Sequence, residues 1–179
     1  MHLFRLPVRI FYAGVIVVKS NLSVLAIQSY IYLAIETGPE KATTLLAFLQ
    51  DTHGGVGVNL DPANFVMVTK QDPAAAVHIL KEYIVHTHAK DGIMLHKSDP
   101  VEVYHAFAEG GVDALNACKN FQEVPMGEGG VDWNGYLAAL RDIGYDGFLT
   151  IERECGDTPE RDIERASSFL REQLAKLRI

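Results

Sequence analysis

The sequence predicts an α/β fold, a parallel sheet covered by helices, and two regularities lead there. Short apolar runs recur along the chain, and each is followed by residues that open a helix. Four such strand-then-helix units, with strands apolar throughout rather than alternating, are the pattern of a sheet buried on both faces.

The first strand is read from Tyr30-Ile31-Tyr32-Leu33-Ala34-Ile35, and Gly38-Pro39-Glu40 opens the helix carrying Leu45, Leu46, Phe48 and Leu49. Pro39 suits the first turn, where its missing N–H has no partner to lose. Val56-Gly57-Val58-Asn59-Leu60 is the second strand, and Asp72-Pro73 then caps a helix from Ala74 to Leu80. Tyr83-Ile84-Val85-His86-Thr87-His88 is the third. Asp132 caps the helix through Tyr136 and Arg141, and Gly144 suits its C-terminal stop. The fourth strand is Gly147-Phe148-Leu149-Thr150-Ile151. The last helix starts at Asp157-Thr158-Pro159-Glu160, with Ile163, Ala166, Leu170, Leu174 and Leu177 as its buried stripe.

Two stretches break this rhythm. Between His88 and Asp132 the chain carries an insertion, residues 93–131, with a short helix expected after Asp99-Pro100. A connection of this length reads equally as a lid or as surface decoration. At the start, Arg5 and Arg9 precede the apolar run Ile10 to Val18, which imitates a secretory signal. Lys19-Ser20-Asn21 stands where a cleavage site would be expected, and the run is shorter than the ~18 residues that suggest a membrane span. A buried strand or a poorly specified segment is the favoured reading.

Composition narrows function. A net charge of −7 and a pI near 5.4 argue against binding a nucleic-acid backbone, which needs a basic face. Cys118 and Cys155 are too few for a disulfide framework, so a reducing, cytoplasmic setting is expected, with no membrane partner.

The chemistry is expected at the strand ends. Each predicted strand runs into a residue able to bind metal: Glu36, Asp61, His88 and Glu152. Active sites of parallel α/β folds lie at the carboxyl ends of their strands, and ionisable groups are not placed there cheaply unless paired or metal-bound. Three carboxylates and an imidazole form a hard donor set suited to Mn, Mg, Co or Zn. His86 shares a strand face with His88 and reads as a packed or supporting histidine. His2, His53, His78, His96 and His105 read as surface or loop residues, and Cys155 has no obvious base beside it.

Five stretches taken together carry a resemblance: Leu33-Ala34-Ile35-Glu36, Val58-Asn59-Leu60-Asp61-Pro62-Ala63-Asn64, His86-Thr87-His88-Ala89-Lys90-Asp91-Gly92, Met126-Gly127-Glu128-Gly129, and Gly144 through Glu152. In this order they resemble motifs of the xylose isomerase-like TIM barrels, closest to the sugar phosphate isomerases and epimerases. The resemblance covers about residues 30 to 175. It implies a partial (β/α) barrel: residues 30–179 as the C-terminal half, with the last four βα units, behind an atypical segment 1–29.

The resemblance also implies roles. Glu36, Asp61, His88 and Glu152 would hold a divalent metal. Glu36 and Glu152 would be the two bases that remove and return a proton on opposite sides of a sugar carbon, through a cis-enediolate. Asn64, Lys90 and Glu128 would be substrate contacts, although Lys90 could instead pair with Asp91, and Glu128 could simply order its loop. An Arg that the 3-epimerases carry six residues after the ligand His is replaced here by Met94. Asp61 precedes Pro62, so a turn-forming role competes with ligation. Three functional readings follow: a sugar (phosphate) isomerase or epimerase completed by a homo-oligomer or a partner half-barrel; a non-catalytic metal-binding half-barrel or interaction module; and an apurinic endonuclease-like hydrolase, which would need further metal ligands and a basic face.

Overall fold

The computed structural model describes residues 11–12, 33–117 and 119–177. A five-stranded sheet is built from β1 (Phe11–Tyr12), β2 (Leu33–Glu36), β3 (Val56–Leu60), β4 (Ile84–Ala89) and β7 (Leu149–Ile151), in that order and parallel at every pairing. The apolar leader therefore contributes one short strand beside β2, while the rest of that run lies outside the described residues. The parallel sheet with flanking helices is the predicted fold. The strands sit within a few residues of their expected positions, and no closed barrel forms among the described residues.

Helices α1 (Ala42–Asp51), α3 (Pro73–Leu80), α5 (Trp133–Asp142) and α6 (Pro159–Leu177) pack side by side over one face of the sheet. Between them lies the main core, in which Leu49, Val58, Leu60, Val77, Leu80 and Tyr136 are fully buried. The capping logic holds for α3, where Asp72 accepts from Ala74 and Ala75 N–H, and for α5, where Asp132 accepts from Gly135 N–H. Gly144 takes a positive φ of 73° just past the end of α5, as a helix stop requires.

Two expectations are corrected. The first helix begins at Ala42 rather than at Pro39, because Glu40 is held by the Tyr104 hydroxyl and the Ala42 N–H is taken by Gln71 Oε1. Ile163 is 43% exposed and lies outside the buried stripe of α6, which runs instead through Ala166, Leu170 and Gln173. The helix expected in the insertion after Asp99-Pro100 is present as α4 (Pro100–Ala117), which breaks at Gly111 (φ 64°, ψ −154°) into two shorter stretches. The insertion also carries an antiparallel pair that brackets this helix, β5 (Asp91–Met94) and β6 (Phe121–Val124).

This insertion stands on an element that the sequence reading did not contain. After β3 the chain turns through α2 (Pro62–Asn64) directly into a π-helical segment, Phe65–Thr69. Ala63, Met67 and Val68 there pack with Val103 of α4 in a second, smaller core, with Phe121 against it. One carboxylate ties the far end down. Asp91, 2% exposed, accepts from the N–H groups of Gly92, Gly127, Gly129 and Val131 and from the Trp133 indole. A Cβ at Gly129 would collide with that carboxylate, which is why the turn needs glycine there.

Candidate metal centre

Glu36 closes β2, Asp61 follows β3, His88 lies in β4 and Glu152 follows β7, so four neighbouring strands each deliver one side chain to the same end of the sheet. One donor atom from each falls within 4.8 Å of all the others. His88 Nδ1 is 3.0 Å from Glu152 Oε2, 3.5 Å from Glu36 Oε1 and 3.9 Å from Asp61 Oδ2. Asp61 and His88 form the buried floor, while the side chains of Glu36 and Glu152 keep 34% and 25% exposure on either side of it.

Each donor is aimed by its own element. Thr37 Oγ1 accepts from Asp61 N–H and donates to the Asp61 carbonyl, which locks the ends of β2 and β3 together. Asp61 serves both the turn and the site: Oδ1 caps α2 through the Ala63 N–H, and Oδ2 points to the cluster. Behind His88, Asn59 Nδ2 lies 2.9 Å from Nε2, and Asn59 Oδ1 has no hydrogen-bond partner among the described residues. The amide turned over would place Oδ1 against an Nε2–H. That satisfies the oxygen and fixes the tautomer whose Nδ1 lone pair faces the carboxylates.

A metal ion fits these residues. Asp61 Oδ2 is fully buried and accepts no hydrogen bond among the described residues, the Lys90 ammonium standing 3.8 Å away, which is costly for a carboxylate oxygen unless a cation meets it more closely. Three carboxylates and one imidazole make a set for a hard divalent ion, with Asn59 as the outer support such histidines require.

Lys90, only 5% exposed, supplies the one buried ammonium beside the cluster among the described residues. Its Nζ is 2.6 Å from Glu154, 3.2 Å from Glu152, 3.7 Å from Glu123 and 3.8 Å from Asp61. It does not pair with Asp91, whose oxygens are taken by N–H groups. Burial would by itself lower the Lys90 pKa, but Asp61, Glu152 and Glu154 raise it well above the ordinary lysine value. For Glu152, burial pushes upward and is outweighed by His88, when its imidazole is protonated, and by Lys90, which together bring the carboxyl down to about 2.

The other sequence candidates have partners outside the four-residue set. Asn64 donates to the Thr37 carbonyl at 2.7 Å, and Glu128 pairs on the surface with Arg165 at 2.8 Å. His86 bonds Thr150 Oγ1 at 2.8 Å and packs edge-on to His88; burial, then the neighbouring His88, lowers its pKa. Asn59, Glu123 and Glu154 were not singled out in the sequence. Asn59 had a signal, lying two residues before Asp61 on the same strand face, and so did Glu154, two residues beyond Glu152. Glu123 had none.

Comparison with known proteins agrees with this fold. The family described as xylose isomerase-like TIM barrel matches residues 19–173. The chain belongs to that family. Among solved structures of the fold, a xylose isomerase domain protein from Planctomyces limnophilus is 30% identical, with a TM-score of 0.66 over 88% of this chain and 50% of that one. A D-tagatose 3-epimerase-like protein is 21% identical, with a TM-score of 0.62 over 89% of this chain and 52% of that one. D-allulose 3-epimerase from Methylomonas sp. is 16% identical, with a TM-score of 0.59 over 87% of this chain and 53% of that one. The chain thus spans about half the length of the structures it matches. Among curated proteins none matches. No helix among the described residues is long and apolar enough to cross a membrane.

Proposed function

We propose that this chain carries the metal and proton-transfer machinery of a metal-dependent sugar or sugar-phosphate isomerase or epimerase. The observation that carries the reading is the convergence of Glu36, Asp61, His88 and Glu152 at the carboxyl ends of four parallel strands. The epimerase names of the structural relatives support it.

Glu36, Asp61, His88 and Glu152 would hold the divalent cation, which when bound supplies Lewis-acid stabilisation of negative charge on a substrate oxygen. The proton is moved by the chain's own carboxylates. Glu36 and Glu152 are the two partly exposed members, on opposite sides of the buried floor. One takes the proton from the sugar carbon and the other returns it to the opposite face, the substrate passing through a cis-enediolate. Lys90 keeps Glu152 ionised and so ready to accept.

Incubation with a panel of ketoses and ketose phosphates in deuterium oxide tests this. Deuterium enters the carbon next to the carbonyl with wild-type protein, and entry is lost in both Glu36→Gln and Glu152→Gln. Exchange retained in both variants contradicts the two-base assignment. A second reading, a metal-binding half-barrel without turnover, is favoured by the open edges of β1 and β7, each paired on one side only among the described residues. Stoichiometric metal binding with no exchange on any sugar selects it.

A further inference from the structure

Glu152 stands where the sheet stops guiding the chain. Its N–H donates to the Ala89 carbonyl at 3.2 Å, and residues 153–158 then belong to no helix or strand until α6 begins at Pro159. Around the other ligands the ties come from the sheet strands and their turns, through Thr37, the Asp61 cap and Asn59. The segment after Glu152 is held from a different element, the insertion.

The hold is one carboxylate. Glu123 lies in β6 opposite Gly92 of β5, and its side chain is 5% exposed. Its Oε1 accepts from the Glu154 N–H at 3.0 Å and from the Cys155 N–H at 3.4 Å. The same oxygen accepts from Arg153 Nη1 at 2.6 Å, while Arg153 Nε donates at 2.7 Å to Asp162 Oδ2 in the first turn of α6. The Arg153 guanidinium is thus a buried strut between the insertion and α6. The loop is shaped around it: Gly156 sits at φ 107°, and a Cβ there would stand 2.6 Å from Arg153 Nη2 and 3.2 Å from Asp162 Oδ2. A buried carboxylate is costly unless N–H groups and cations meet it. For Glu123 these are Arg153, Glu154 and Cys155, directly after Glu152, and Lys90, whose Nζ is 3.7 Å from Glu123 and 3.2 Å from Glu152.

We propose that Glu123 is a positioning residue for Glu152, and that the insertion, through β6, braces the metal centre. The brace is firm at its root, because β6 pairs along β5, which follows β4 directly after Lys90. Glu123 touches neither the metal position nor the reacting carbon. It fixes the backbone from which Glu152 reaches the cluster, so losing it leaves Glu152 in place in sequence but misdirected in space. The inference rests on the metal-centre reading of Glu152 and not on the turnover of any sugar.

Co²⁺ titration followed by visible absorption, which reports coordination geometry, tests this role. Glu123→Ala is expected to weaken Co²⁺ binding roughly tenfold, the lower end of what removing an outer support costs. Its spectrum shifts toward that of Glu152→Gln. Glu123→Gln, whose amide oxygen can still accept from the Glu154 N–H, falls between wild type and Glu123→Ala, and it serves if the alanine variant folds poorly. In metal-free protein the Glu154 and Cys155 amides exchange hydrogen roughly tenfold faster in Glu123→Ala, the scale of one lost hydrogen bond. Leu80→Ala is the control for general loosening, since Leu80 is fully buried where the chain approaches the amino end of β4. It lowers stability and keeps the wild-type spectrum. Wild-type protein that binds no Co²⁺ overturns the metal-centre reading and this role with it. Wild-type binding that Glu123→Ala leaves unchanged in affinity and spectrum, or the same spectral shift in Leu80→Ala, overturns the role of Glu123 alone.

Discussion

Asn59 shows how much of this centre depends on one residue that touches neither metal nor substrate. Its amide faces His88 Nε2, and its Oδ1 gains a partner only when His88 carries its proton on that nitrogen. Asn59→Leu is therefore expected to weaken divalent-metal affinity by about 10–100-fold, the usual cost of removing such a support, with little change in the circular dichroism spectrum. Affinity equal to wild type would show that His88 needs no such partner. Lys90 is the second test at this scale. Asp61, Glu123, Glu152 and Glu154 lie within 4 Å of its buried ammonium, so Lys90→Met leaves carboxylates facing one another. A loss of ~3 kcal/mol in metal-free urea unfolding is expected, and a smaller loss with metal bound. The four ligand candidates were legible because each stands where a strand stops. Their supports were less legible: Asn59 looked like one polar residue in a strand, and Glu123 reaches the site from a β6 that the sequence reading did not contain.

The elements that best match their expected bounds are those with a local cause. Val56–Leu60 is a fully buried, mostly apolar strand, and α3 starts where Asp72 caps it and Pro73 fixes the first turn. Where a distant residue decides, the reading fails. The start of α1 depends on Gln71 and Tyr104, and the insertion shares a small core with the π-helical segment, which has no periodic signature. The loop from Met126 to Val131 is of this second kind, since its order comes from Asp91. Asp91→Ala strands buried N–H donors and the Trp133 indole together. It is expected to cost at least about 3 kcal/mol and to open that loop to limited proteolysis. A loop cut no faster than in wild type would remove Asp91 from this role.

At the scale of the molecule, the sheet sets what the site can be. Parallel strands in the order β2, β3, β4, β7 bring Glu36, Asp61, His88 and Glu152 to one rim, although 116 residues of sequence separate the first ligand from the last. The fold class was legible because apolar strands and helix openers repeat four times along the chain. The convergence was expected from the family resemblance rather than from the local pattern, because strand order depends on pairing between distant segments. The chain spans about half the length of its relatives of known structure. The four-residue cluster can be tested alone. Calorimetric titration of the metal-free protein with Mn²⁺, with bound metal counted by elemental analysis, addresses the central claim most directly. One ion per chain is predicted, with binding lost in Asp61→Asn and His88→Ala and retained in Glu128→Gln. No saturable binding of Mn²⁺, Mg²⁺, Co²⁺ or Zn²⁺, or binding that survives both substitutions, would contradict it.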